Sequence, residues 1–262
     1  MRQRVITAVV ALIIFIPIII AGGVWIDIAA AVLGVVAISE ILVMKKKLLI
    51  SGEALISYLG VLVLIAPQQW LSLIPNNISQ TFLFYMVVMA LLLLTVFTRN
   101  RFSFDDVGVL TLGMLYTGMG FHFFLTARHV GLTMLLYALF IVWATDSGAY
   151  IFGRMFGKHK LAPHVSPNKT WEGSIYGSIF AVALVSIWAL FYPIAGLSFW
   201  QLLPITIGLS VMGQLGDLVE SSLKRYYGVK DSGKILPGHG GILDRFDSLL
   251  FVLPVLHLVG LI

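Results

Sequence analysis

Residues 25–47 read WIDIAAAVLGVVAISEILVMKKK. Some twenty almost wholly aliphatic positions are closed by three lysines in a row. A helix needs ~20 mostly apolar residues to cross the hydrocarbon of a bilayer. Lysine and arginine accumulate in cytoplasmic loops, so Lys45, Lys46 and Lys47 mark the inner end of a membrane span. Glu40 lies about a turn before them and is expected to pair with them.

The same pattern repeats along the chain. Of its 262 residues, 59% are hydrophobic and 11% charged, with a mean hydropathy of +0.99. An ordinary soluble domain is about 45–50% apolar and about 25% charged, so the excess is too large for one buried core. Nine stretches are candidate spans: about 5–21, 25–44, 54–72, 80–98, 107–126, 131–152, 174–192, 197–216 and 246–262. The expected fold is all-α, a polytopic integral membrane protein with about nine transmembrane helices. A β-barrel is not expected, because barrel strands alternate over ~10 residues and show no runs this long.

The basic residues set the orientation. Arg2 and Arg4 precede the first span, and Lys45–Lys47 follow the second. Arg99 and Arg101 follow the fourth, Arg154, Lys158, Lys160 and Lys169 the sixth, and Lys224, Arg225, Lys230, Lys234 and Arg245 the eighth. Only Arg128 falls after an odd-numbered span. The N-terminus is therefore expected in the cytoplasm and the C-terminus outside, in a multi-pass protein of the cell (plasma) membrane. The N-terminal stretch resembles a signal peptide but has no clear cleavage site, so it reads as a retained span. With no cysteine, disulfides, thiolate nucleophiles and cysteine metal sites are excluded. The net charge of +5 does not point to nucleic acid, since the basic residues sit where topology places them and face membrane lipids. No internal repeat is visible, so residues 1–262 read as a single transmembrane domain.

Two cytoplasmic stretches, about 146–173 and 213–247, hold seven of the twelve acidic and nine of the seventeen basic residues. Catalytic elements are therefore expected within about 140–250. Asp146 sits inside the sixth span, where an ionisable side chain marks a site or a buried pair. The segment Ser166-Pro-Asn-Lys-Thr reads as a tight turn, with Thr170 or Asn168 capping the next helix. Lys169 beside that helix N-terminus is a candidate anion site. His159 and His164 lack metal-ligand spacing. On a helix, Asp217, Ser221 and Lys224 share one face with Glu220 on its flank. Asp217 and Lys224 stacked in this way are either a plain helix ion pair or part of a site. The segment GVKDSGK (228–234) fits GxxxxGK, but Ile235 stands where a phosphate loop needs a hydroxyl and no strand precedes it. Asp244 and Asp247, three apart where the last span begins, either cap that helix or offer hard oxygens suited to Mg²⁺. Carboxylates, cations and glycines together suit a metal with a phosphorylated ligand.

The segment Ser221-Ser-Leu-Lys224-Arg225, Lys230-Asp231, Gly233, Leu236-Pro237, His239-Gly-Gly, Asp244-Arg245-Phe-Asp247 resembles the signature of the phosphatidate cytidylyltransferase (CDP-diacylglycerol synthase) family. Ser166-Pro-Asn-Lys-Thr-x-Glu-Gly resembles a second element of that family. The resemblance implies transfer of the cytidylyl group of CTP to phosphatidic acid, giving CDP-diacylglycerol and pyrophosphate. It also implies Mg²⁺, a second monovalent cation such as K⁺, and a homodimer. Carried onto this chain, the metal ligands are Asp217 and Asp244. Lys224, with Arg225 and Asp247 beside it, is catalytic. Lys230, Asp231, His239, Arg245, Lys169, Asn168 and Asp146 are substrate-binding candidates. A transporter would place charge deep in several spans of two repeated halves, and here only Asp146 is deep. A CTP-dependent lipid kinase would share the nucleotide site but transfer the γ-phosphate. A CDP-alcohol phosphotransferase would carry DGxxAR, which is absent.

Overall fold

The computed structural model describes the chain apart from Met1, Leu73, Ile74, Asn76, Asn77, Ala195 and Gly196, and apart from the side chains of Arg2, Arg4, Val5, Gln68 and Leu71. The charges of Arg2 and Arg4, used above for orientation, thus lie outside the described residues. The described chain is all-α except for one two-stranded hairpin. In chain order the elements are α1 (Arg2–Ala21), α2 (Gly23–Met44), α3 (Gly52–Ile65), α4 (Gln68–Leu71), α5 (Gln80–Phe97), α6 (Phe104–Val130), α7 (Leu132–Phe156), β1 (Lys160–Ala162), β2 (Ser166–Thr170), α8 (Trp171–Phe191), α9 (Phe199–Tyr226), α10 (Leu243–Phe246) and α11 (Leu249–Leu258).

Among the described residues, six helices, α2 and α5 to α9, are long and apolar enough to cross a membrane. Shorter apolar helices cover Ile6–Ala21, Gly52–Ile65 and Leu249–Leu258. At 1.5 Å per residue, α3 is about 21 Å long and α11 about 15 Å, against a hydrocarbon core of ~30 Å. The stretch expected to run from 54 to 72 stops early because Pro67 forces its predecessor out of the helical region; Ala66 has ψ 122°. In the stretch expected from 246, Phe246 closes the short helix α10 and α11 runs only from Leu249 to Leu258, shortly before Gly260, whose φ is 74°.

The chain divides into two compact units. The first comprises Met1–Thr126 and Asp231–Asp244. Its helices α2, α3 and α5 pack in sequence, around a core that includes Ile38, Ile41, Leu91, Leu110, Met114 and Phe121. Ser51 and Ser79 cap α3 and α5, accepting from Ala54 N and Phe82 N at 3.4 and 3.1 Å. Lys45 and Lys47 do not reach Glu40: both bind Asp106, each at 2.8 Å. Glu40 is 3% exposed and is engaged elsewhere.

The second unit comprises Ala127–Lys230 and Arg245–Ile262. Its largest contact is α7 on α8, made at backbone distance through Gly173 and Gly177. A Cβ on Gly177 would stand 2.7 Å from the Ala149 nitrogen, and one on Gly173 would stand 2.7 Å from the Ala149 oxygen. Small residues four apart allow this approach where lipid gives helices no hydrophobic reason to associate. Between these helices, β1 and β2 pair antiparallel, with Lys160 opposite Thr170 and Ala162 opposite Ser166. The segment Ser166–Thr170, expected as a turn, is therefore a strand. The turn lies just before it, where Val165 N donates to Ala162 O at 3.2 Å and Pro163 takes the position a β-turn favours for proline.

Candidate active site

The polar residues form one cluster in each unit. In the first unit the centre is Glu40, at the end of α2. Its Oε1 accepts from Ile242 N at 2.7 Å, and its Oε2 accepts from Leu243 N at 3.0 Å and from Ser232 Oγ at 2.7 Å. Asp244 is tied into the same loop. Its Oδ2 accepts from Ser232 N (2.8 Å), Ser232 Oγ (2.9 Å) and Gly241 N (2.8 Å). Asp244 stands inside the short helix α10, and its carboxylate turns back onto Ser232 and Gly241 of the preceding loop. Gly238 and Gly240, with φ of 78° and 86°, let the chain double back between Leu236 and Gly240. Any other residue would be strained there. The Pro237 carbonyl accepts from Thr7 Oγ1 at 2.9 Å. His239 Nδ1 is buried with no hydrogen-bond partner among the described residues. Asp231 is exposed.

The second cluster forms where α9 meets the hairpin and the start of α11. Lys169 Nζ lies 2.6 Å from Asp217 Oδ2, and Ser221 Oγ donates to Asp217 Oδ1 at 3.3 Å. Lys224 does not pair with Asp217. It binds Glu220 at 2.5 Å, and that side chain is 0% exposed. The (i, i+4) partner is within easier reach than the one seven residues back. Gly216 lets the Asp247 backbone come close: a Cβ there would stand 2.7 Å from the Asp247 oxygen. Asp217 and Asp247 consequently act on each other electrostatically, and Asp146 on both. Lys169 and Arg245 act on Asp146 with the opposite sign. Three carboxylates and two cations thus share one locality. Arg225 turns away to the Val229 carbonyl, donating at 2.9 Å, while Asn168 and Lys230 are exposed.

A polar network tightens α7, α8 and α9 beside this cluster. Thr145 and Ser210 hydroxyls meet at 2.8 Å, Ser210 Oγ donates to Ser178 Oγ at 2.9 Å, and Gln214 Nε2 donates to Ser178 Oγ at 2.9 Å. At the other end of the hairpin, Glu172 accepts from Lys158 N at 3.1 Å and meets His159 Nδ1 at 2.6 Å. Thr170, not Asn168, caps α8, accepting from Gly173 N at 3.1 Å.

A family model described as the cytidylyltransferase family matches residues 2–262. The chain belongs to the cytidylyltransferase family. It is similar to proteins named phosphatidate cytidylyltransferase from Staphylococcus aureus (strain COL) and from Staphylococcus haemolyticus (strain JCSC1435). The identities are 46% and 48%, in each case over 99% of this chain and 98% of the relative.

Among the described residues, no three or more His, Cys, Asp or Glu side chains are gathered as a metal cage. Mg²⁺ needs few protein oxygens and completes its shell with phosphate and water. The hard carboxylates Asp217 and Asp244 are of the right kind. The three donors that hold Asp244 in the first unit all fall on one oxygen, Oδ2. Ser232 was not among the residues expected from sequence, and Glu40 was expected only as a structural ion pair. The available signal was a carboxylate retained inside an apolar span, and proximity in sequence assigned it to the wrong partners.

Proposed function

We propose that this chain transfers the cytidylyl group of CTP to phosphatidic acid, forming CDP-diacylglycerol and pyrophosphate. The observation that carries this reading is the unbroken signature from Ser221 to Asp247, in a chain matched over 99% of its length by relatives named phosphatidate cytidylyltransferase. A phosphate oxygen of the lipid attacks the α-phosphorus of CTP. The new P–O bond forms as the bond to the β-phosphate bridging oxygen breaks, and pyrophosphate leaves. No protein nucleophile is required.

Both reactants are polyanions, so the protein's task is to bring like charges together. Lys169 and Lys224 are proposed to exchange their carboxylate partners for substrate phosphates, with Arg225, Arg245 and Lys230 adding positive charge nearby. Asp217 and Asp244 are proposed as the Mg²⁺ ligands. Bound there, Mg²⁺ would supply positive charge that offsets the phosphate charge in the displacement. Asp247, Asp146, Asp231, His239 and Asn168 are proposed to orient substrate, and K⁺ is proposed as the second cation. The full proposal keeps the single nine-span domain in the plasma membrane, with its N-terminus and catalytic face cytoplasmic, and the homodimer.

The test is product analysis with the purified full chain in detergent, CTP and phosphatidic acid. CDP-diacylglycerol with pyrophosphate is expected. A phosphorylated lipid with CDP would assign a kinase instead. Asp217→Ala and Asp244→Ala are expected to abolish turnover, and near wild-type turnover in either rejects the metal assignment.

A further inference from the structure

We propose that Glu40 is a positioning residue for Asp244, acting through Ser232 and the backbone of the 232–243 loop. This rests on the reading of Asp244 as a metal ligand. Glu40 lies 192 residues from Ser232 and 203 from Leu243, yet it accepts hydrogen bonds from Ser232 Oγ, Ile242 N and Leu243 N. Those donors stand at the two ends of the loop that leads into Asp244. Leu243 is its chain neighbour, and Ser232 is its own hydrogen-bond partner through both nitrogen and hydroxyl.

The fit around Glu40 is close. A Cβ on Gly233 would stand 2.7 Å from Glu40 Oε1, and one on Gly241 would collide with both Glu40 and Ser232. Two glycines of the loop are therefore needed because the Glu40 carboxylate fills the space beside them. A hydroxyl has one proton to donate, so Ser232 serves one carboxylate at a time. When it turns to Asp244, Glu40 still holds the two amides of Ile242 and Leu243. The loop thus keeps its shape while the Asp244 contact changes. A carboxylate that accepts from several donors in a loop orients its neighbours as hydrogen-bonded outer groups orient metal ligands, and loss of such a group typically weakens metal binding about 10–100-fold.

The experiment uses the full chain in detergent micelles and Mn²⁺ alone as the metal probe. Free Mn²⁺ is read by electron paramagnetic resonance and folding by thermal denaturation. Glu40→Gln keeps the shape but loses the acceptors for Leu243 and Ser232. It is expected to weaken Mn²⁺ binding about 10–100-fold, and to raise the Mg²⁺ concentration for half-maximal turnover by the same factor. Turnover is expected to recover at high Mg²⁺. Asp27→Asn is the control, because Asp27 is the other buried carboxylate of α2, 1% exposed and bound to Gln69 at 3.0 Å. Its Mn²⁺ binding should match wild type. The proposal is overturned by wild-type Mn²⁺ binding in Glu40→Gln, or by equal weakening in Asp27→Asn. Should Glu40→Gln not accumulate as folded protein, Ser232→Ala removes only the hydroxyl between the two carboxylates; weaker Mn²⁺ binding then supports the proposal and unchanged binding overturns it. Mn²⁺ binding and turnover at wild-type levels in Asp244→Ala would instead overturn the metal reading, and this proposal with it. Loss in Asp244→Ala with no change in Glu40→Gln overturns the positioning role alone.

Discussion

Replacing Gly177 by alanine tests whether α7 and α8 meet at backbone distance. The added methyl would stand 2.7 Å from Ala149 N, 2.9 Å from Thr145 O and 3.0 Å from Ala149 Cα. Comfortable carbon contacts are about 3.5–4.0 Å, and none of these atoms is the end of a flexible side chain. The helices must move apart by several tenths of an ångström or more. Overpacking of a tight contact costs about 1–3 kcal/mol, and backbone obstruction places this case in the upper half, about 2–3 kcal/mol. The control is Gly208→Ala in α9, where an added Cβ meets nothing within 4 Å. Alanine's better helix propensity applies at both positions and cancels in the comparison. Gly177→Ala should therefore be less stable than Gly208→Ala by about 2–3 kcal/mol. The assay is unfolding of both variants in the same micelles, followed by far-UV circular dichroism against increasing denaturing detergent. Activity should fall as well, because the Thr145 carbonyl that is pushed belongs to the residue before Asp146. Equal stability of the two variants would refute the close approach.

Two further perturbations probe the polar framework. Ser210→Ala removes the hydroxyl between Thr145 and Ser178 at a site 1% exposed, and should cost about 1–3 kcal/mol because buried partners lose a bond; thermal denaturation matching wild type would count against the network. Asp106→Asn removes the partner of both Lys45 and Lys47, a loss of up to about 1 kcal/mol per pair that should shrink between low and high salt, so a melting difference that does not narrow as NaCl is raised would reject the ionic account.

The membrane helices were legible because their signal is local. A run of aliphatic residues needs no knowledge of its partners, and α2 and α5 to α9 fall where those runs lie. Helix ends were less legible, since a length expectation of about twenty residues competed with point signals. Pro67 ends α3 before the expected boundary, and the turn forms at Pro163, ahead of the Ser166–Thr170 segment where it is expected. The site's residue types were legible from the signature, but their partners were not. Lys224 found Glu220 within its own helix, while Asp217 found Lys169 from the hairpin. Sequence spacing lists which pairs can meet along one helix. It says nothing about a competing charge delivered by another element.

Glu40 shows why that limit is sharpest for polar groups in apolar helices. Near the end of a span, a carboxylate beside three lysines reads as having its counter-ions supplied. Lys45 and Lys47 instead meet Asp106, in the first turn of α6. Glu40 meets amides and a hydroxyl, neutral donors that carry no charge signature in the sequence. In a low-dielectric setting an unpaired polar group is costly, so both ends of this arrangement gain. The helix carboxylate obtains its hydrogen bonds, and the glycine-rich loop obtains acceptors for amides that its own turns leave unused. The loop that carries Asp244 is therefore shaped by a residue outside it. Its glycines at 233 and 241 are as much a record of the Glu40 carboxylate as of any ligand. A motif read only for what it binds would assign those glycines to phosphate; the distances assign at least these two to the protein itself.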